Sequence, residues 1–169
     1  MNTTVRKILI VGDAGRGKTT LAKNFSKETR IPYYQTDDYL WKVKFTIPND
    51  KKKSEEEISE IYKKSEWIIE GTTRRLFRKG IEKADVIYLL EFNSIFYQYY
   101  YLIKRFLTRK NERIIDICRL LKHVTYKKFK KGYRNHLPPL REMLEPYNHK
   151  VVRLTSLRDI NQLFVSKNN

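Results

Sequence analysis

Residues 5–11, Val-Arg-Lys-Ile-Leu-Ile-Val, end in an unbroken apolar run rich in β-branched side chains that stops at Gly12. A short run of this kind, closed by glycine, is the pattern of a strand buried on both faces. The period then changes. Between Gly17 and Thr29, Leu21, Ala22 and Phe25 recur at helical spacing among Lys and Glu, which predicts a helix that starts inside a glycine-containing turn. Residues 31–36 read as a short second strand ending at Asp37-Asp38, with Pro32 near its start, where a missing N–H is tolerated. Within 42–53, Pro48-Asn49-Asp50 and Lys51-Lys52-Lys53 mark a solvated loop, and Ser54 with Glu57 forms a capping box that predicts a helix over 54–64. Residues 67–70, 84–91 and 151–154 supply a third, fourth and fifth strand, and a closing helix follows over 157–165. Between the fourth and fifth strands Phe96, Tyr100, Ile103 and Leu107 recur at three- and four-residue steps, as do Ile114, Ile117, Leu120, Leu121 and Val124, and Pro138-Pro139 opens a further helix to Tyr147. Strands alternating with helices predict an α/β fold, a five-stranded parallel sheet covered on both faces, in one domain over 1–169.

Composition adds a setting. A chain of 169 residues is long enough to bury a core without staples, and its only cysteine, Cys118, has no internal partner for a disulfide. The apolar run after the basic N-terminal residues leads into glycine with no cleavage site, and charges interrupt every hydrophobic stretch well short of the ~20 residues that span a bilayer. Both features predict a cytoplasmic protein with no membrane partner. His123, His136 and His149 share no metal-ligand spacing with one another or with Cys118, so no zinc site is expected.

Charge changes the picture more. The net charge is +17, and residues 101–135 alone hold a dozen lysines and arginines against Glu112 and Asp116. Such an excess attracts anions over a Debye length. A phosphorylated small molecule, nucleic acid and simple solubility each account for it, and the nucleic-acid reading predicts only weak, sequence-independent binding. The run Phe96-Tyr97-Gln98-Tyr99-Tyr100-Tyr101 reads as core plus rim tyrosines.

The chemistry is carried by Gly12-Asp13-Ala14-Gly15-Arg16-Gly17-Lys18-Thr19, followed by Thr20. The first eight fit G-x-x-x-x-G-K-[ST] and lie between a predicted strand and a predicted helix, the context that gives this motif its meaning. Its glycines let successive backbone N–H groups converge on an anion, with the helix N-terminus behind them. Lys18 is then placed to neutralise β- and γ-phosphates, and the Thr19 hydroxyl to hold Mg²⁺. ATP and magnesium are the expected ligands.

Together with this loop, Asp37 and Trp41 after the second strand, Trp67-Ile68-Ile69-Glu70-Gly71 with the arginines that follow, and the basic segment after the fourth strand resemble the DNA topology modulation (FlaR-related) family. That family is a branch of the adenylate-kinase-like P-loop kinases, and the resemblance runs over nearly the whole chain. It implies a P-loop NTPase fold with a helical lid between the fourth and fifth strands, over about 105–135, and an acceptor-binding segment over about 38–66. It also implies roles. Asp37, with Asp38 as its rival, is the acidic residue facing magnesium or the acceptor hydroxyl. Arg74 or Arg75 is the acceptor-binding arginine, although the family's Asp-Gly pair is Glu70-Gly71 here, with Glu70 and an arginine also readable as a structural pair. Arg105 and Arg109, four apart on one helical face, are the lid arginines that stabilise charge on the moving phosphoryl group. The turn 155–158 lies near the adenine by the same resemblance. The resulting expectation is a kinase that uses ATP to phosphorylate a small molecule, a nucleotide or nucleoside among the candidates. An ATP-binding protein acting with nucleic acid and an ATPase-like switch are the alternatives.

Overall fold

The computed structural model describes residues 5–43, 47–91, 95–108, 118, 121, 122, 125 and 138–165. In chain order its elements begin with β1 (Lys7–Gly12), α1 (Lys18–Thr29), β2 (Tyr33–Gln35), α2 (Thr36–Leu40), β3 (Trp41–Val43) and β4 (Ile47–Pro48). They continue with α3 (Lys51–Ile61), β5 (Trp67–Gly71), α4 (Arg74–Lys83), β6 (Val86–Leu90) and α5 (Ile95–Thr108). After the described part of the basic segment come α6 (Leu140–Leu144), a 3-10 turn (Glu145–Lys150), β7 (Val151–Leu154) and α7 (Leu157–Val165). No helix among the described residues is long and apolar enough to cross a membrane.

β1 is the central strand of a five-stranded sheet of order β2-β5-β1-β6-β7, in which every pairing is parallel. Successive side chains of a strand point to opposite faces, and here both faces are covered. Ile8 and Ile10 pack with Leu21, Ala22 and Phe25 of α1, while Leu9 and Val11 pack with Ile58 and Ile61 of α3 and Leu76, Phe77 and Ile81 of α4. This is why β1 is a continuous apolar run instead of an alternating one. Each fully buried side chain of this size contributes about 1.5–3 kcal/mol relative to exposure.

Several local readings are corrected by the structure. The helix expected over 54–64 is α3, which runs from Lys51 to Ile61, because Asp50 is the N-cap and its Oδ1 accepts from the Lys53 N–H at 2.9 Å. Ser54 is not the cap. Its buried hydroxyl donates toward the Tyr39 carbonyl at 2.7 Å and the Asp50 carbonyl at 2.8 Å, tying α3 to α2. Residues expected as loop contain the antiparallel β3-β4 hairpin, and α2 and α4 were not placed from the pattern. For α4 the signal was present in Leu76, Phe77, Gly80 and Ile81, all buried on one helical stripe. Among the described side chains of α5, Leu102 is buried and packed with Tyr99 and Phe106, whereas Tyr100, Ile103 and Leu107 are exposed; Phe96 lies outside the described side chains. The helix from 138 divides into α6 and the 3-10 turn, since Pro146 lacks an N–H and Tyr147 leaves helical geometry at φ −114°. The helical run expected over 114–124 falls largely outside the described residues.

One close approach fixes the start of α2 against the end of β5. A Cβ on Gly71 would stand 1.8 Å from Thr36 Oγ1 and 2.9 Å from Thr36 Cβ. Gly71→Ala is therefore expected to destabilise the fold by about 1–3 kcal/mol or more, the range of core overpacking. Thermal denaturation measures it, and Thr36→Ala in the same chain should return part of the loss. A melting temperature unchanged by Gly71→Ala would show that the two segments separate without cost.

Candidate phosphate-binding and acceptor site

Because the five strands are parallel, their carboxyl ends share one edge of the sheet, where open α/β sheets place their ligands. At this edge β1 ends in the glycine loop, β2 ends two residues before Asp37, and β5 ends in Glu70-Gly71. Register sets the neighbours. Glu70 lies across from Ile10 on one side and Gln35 on the other, and Gly71 across from Val11.

The loop needs its glycines. Gly12, Gly15 and Gly17 have φ of +144°, +76° and +85°, in the region that favours glycine. A Cβ on Gly12 would also meet the Leu90 carbonyl oxygen at 2.5 Å. Gly17 is the N-cap of α1 and supplies no side-chain cap, so the first N–H groups of that twelve-residue helix remain available to an anion. Inside the loop Arg16 pairs with Asp13 at 3.3 Å. Ala14 lies between them in sequence, and Thr20 is exposed on the first turn of α1.

Lys18 is 6% exposed and its Nζ donates to the Asp13 carbonyl at 2.7 Å. Burial pushes its ammonium pKa down, while Glu70, Asp37 and Asp13 pull it back up. Thr19 Oγ1 donates to Glu70 Oε1 at 2.6 Å. Glu70 is 5% exposed; burial pushes its carboxyl pKa up, against the opposing pull of the Lys18 ammonium and the Thr19 hydroxyl, and Asp37 and Asp38 push it further. Asp37 is half-buried and acts on both Lys18 and Glu70. Asp38 is exposed and is the weaker of the two at Glu70. The structure thus brings Lys18, Thr19, Asp37 and Glu70 into one electrostatic cluster. Glu70, readable from sequence as half of a pair with an arginine, has the loop threonine as its partner. The signal was the acid at the strand end beside β1, but only the sheet order tells which strand is beside which.

Other site residues lie elsewhere. Arg75 Nη1 donates to the Lys51 carbonyl at 2.9 Å and to Glu55 Oε1 at 2.8 Å, holding α4 to the start of α3. Arg74 Nη1 donates to the Pro138 carbonyl. Thr155 and Ser156 are engaged by a capping box at the start of α7. Asp159 accepts from the Thr155 and Ser156 N–H groups at 2.7 and 3.0 Å, and the Asp159 N–H donates to Ser156 Oγ at 3.2 Å. These bonds, the Ser156 hydroxyl foremost, bring the Asp159 carboxyl down to about 2. Arg105 lies in α5, and Arg109 lies outside the described residues.

The fold is an α/β fold of the P-loop NTPase type, a five-stranded parallel sheet covered by helices. It is similar to shikimate kinase from Bacteroides thetaiotaomicron, with a TM-score of 0.57 at 13% identity over 98% of this chain and 100% of that one. Shikimate kinase from Acinetobacter baumannii in complex with shikimate gives a TM-score of 0.54 at 13% identity, over 97% and 95% of the two chains. A gluconokinase from Sinorhizobium meliloti gives 0.50 at 15% identity, over 93% and 86%. No protein-family model and no curated protein matches the chain.

Proposed function

We propose that this protein is an ATP- and magnesium-dependent kinase that transfers the γ-phosphoryl group to a small-molecule acceptor. The carrying observation is the loop itself, with Lys18 buried in it and the Thr19 hydroxyl 2.6 Å from the buried Glu70 carboxylate. The donor set fits magnesium. Hydroxyl and carboxylate oxygens are its preferred ligands, and among the described residues no three His, Cys, Asp or Glu side chains could hold a metal unaided. That suits an ion which binds through one or two protein groups plus substrate phosphates. Thr19, Asp37 and Glu70 are the residues that would hold it. Bound with the triphosphate, magnesium supplies charge neutralisation at the β- and γ-phosphates.

The chain's own residues then have separate tasks. The N–H groups of residues 13–18 and Lys18 bind the phosphates. Asp37 orients the acceptor hydroxyl and takes its proton as the new oxygen–phosphorus bond forms and the bond to the bridging oxygen of departing ADP breaks. Arg105 and Arg109 balance charge on the phosphoryl group in transit. The resemblance to the DNA topology modulation family, the adenine near 155–158 and a cytoplasmic setting belong to the same reading.

Incubation with ATP labelled in the γ position and a panel of nucleosides, nucleotides and sugars tests it. Label is expected on one small acceptor, dependent on Mg²⁺. Release of labelled phosphate with no labelled acceptor would favour an ATPase-like switch instead.

A further inference from the structure

Given the kinase reading, on which this rests, we infer that Arg16 is the counter-charge to Asp13 within the phosphate loop, and that this pair sets how tightly the loop holds a triphosphate. Between Gly12 and Thr19 the charged side chains are Asp13, Arg16 and Lys18. An acid in a loop whose N–H groups converge on phosphate repels the ligand that the loop binds, so its charge has to be met from within. The fold meets it locally. Gly15 and Gly17, at φ +76° and +85°, flank Arg16, and in the turn they make the Arg16 Nη2 donates to Asp13 Oδ2 at 3.3 Å. The guanidinium is 12% exposed and the carboxylate 37%, so water screens the pair only in part. Lys18 stands against the same residue, its Nζ donating to the Asp13 main-chain carbonyl at 2.7 Å. The acid therefore lies beside the lysine that the phosphates require. Its neutralisation is incomplete, because 3.3 Å exceeds the roughly 2.7–2.9 Å of a tight charge-assisted bond. Two substitutions then have opposite effects. Loss of the Arg16 charge leaves a carboxylate facing the phosphates, whereas loss of the Asp13 charge leaves a guanidinium to attract them. A pair that merely braced the loop would be damaged by either change.

Isothermal titration of ATP, ADP and AMP into the full chain, with Mg²⁺ present, provides the test in wild type, Arg16→Ala, Asp13→Asn and the double variant, each checked by a thermal melt. Arg16→Ala is expected to weaken ATP binding by at least about tenfold, the scale of one partly screened charge beside a polyanion, with a smaller loss for ADP and the least for AMP. Asp13→Asn keeps an amide oxygen to accept from Arg16 and should tighten ATP binding several-fold. The double variant should return to within about threefold of wild type, since the two charge effects cancel. Should Arg16→Ala not fold, Asp13→Asn decides alone, because a brace gives weaker ATP binding there and a counter-charge gives tighter. Weaker ATP binding in both single variants, unrelieved in the double, would overturn the inference and leave the kinase standing. So would an Arg16→Ala loss that is equal for ATP and AMP. A wild type that binds no MgATP would count against the kinase itself, and the inference would fall with it.

Discussion

Lys18→Ala is expected to reduce turnover by roughly a hundredfold to a thousandfold, the cost of one preorganised donor to developing charge. Its effect on ground-state ATP should be smaller. A hydrogen bond to a charged group contributes about 1.5–3 kcal/mol, which corresponds to roughly tenfold to a hundredfold in dissociation constant. Folding should survive the change, for a reason that is legible in the side chain's surroundings. Lys18 is 6% exposed, and burial disfavours its charged form even with Glu70, Asp37 and Asp13 nearby. Removing it gives up the 2.7 Å bond to the Asp13 carbonyl and also removes a desolvated ammonium, so the two effects oppose one another. Isothermal titration with ATP, steady-state turnover and a thermal melt separate them. ATP affinity equal to wild type would remove the loop from phosphate binding.

How much of this was readable beforehand depends on whether the information is local. The strand-loop-helix over residues 7–29 was, because the apolar run, the three glycines and the helical spacing of Leu21, Ala22 and Phe25 all lie within one stretch of chain. The five parallel strands followed from the same kind of signal. What was not readable depends on pairing. Glu70 becomes a neighbour of Thr19 only because β5 lies beside β1, with Glu70 opposite Ile10, and no local pattern states that order. The helix start at Lys51 was missed for a different reason. Both Asp50 and Ser54 are competent caps, and the competition is decided by the Tyr39 carbonyl, which draws the Ser54 hydroxyl toward α2. The α2 turn and β3-β4 hairpin are too short to show a period.

The same pairing explains why sequence arithmetic at the acceptor arginines is a weak guide. Arg74 and Arg75 are adjacent in sequence, so they leave α4 in different directions. One reaches α3 and the other the chain at Pro138. Their positions after Gly71 satisfy a motif, but where each guanidinium ends depends on residues 20 or more positions away.

Glu70→Gln is expected to remove the fall in stability that the ligand-free wild type shows as pH rises from 4.5, while lowering Mg²⁺-dependent turnover by roughly a hundredfold or more, if one carboxylate in the magnesium and phosphoryl-transfer site matters as one electrostatic donor does elsewhere. The stability half follows from the direction of the shift. Burial raises the Glu70 carboxyl above its ordinary 4.5, and the Lys18 ammonium and Thr19 hydroxyl do not cancel that effect. In the window from 4.5 upward to the folded value, the folded chain holds the proton that the unfolded chain has released. Stability then falls as pH rises through that window, and what the protonated form contributed at lower pH is absent at neutrality. Glutamine keeps an Oε1 to accept from Thr19 and does not ionise, so that fall should be missing from the mutant's stability–pH curve. The functional half follows from the same carboxylate being the one that Thr19 meets at 2.6 Å. A buried acid that weakens the free protein and strengthens the loaded one is the usual form of a trade between stability and activity. Melting curves from pH 5 to 8, with and without MgATP, measure both halves. Wild type should gain more from MgATP than Glu70→Gln does, and a mutant that melts lower than wild type at pH 8 with turnover intact would make Glu70 a structural anchor for the loop, with no part in holding the metal.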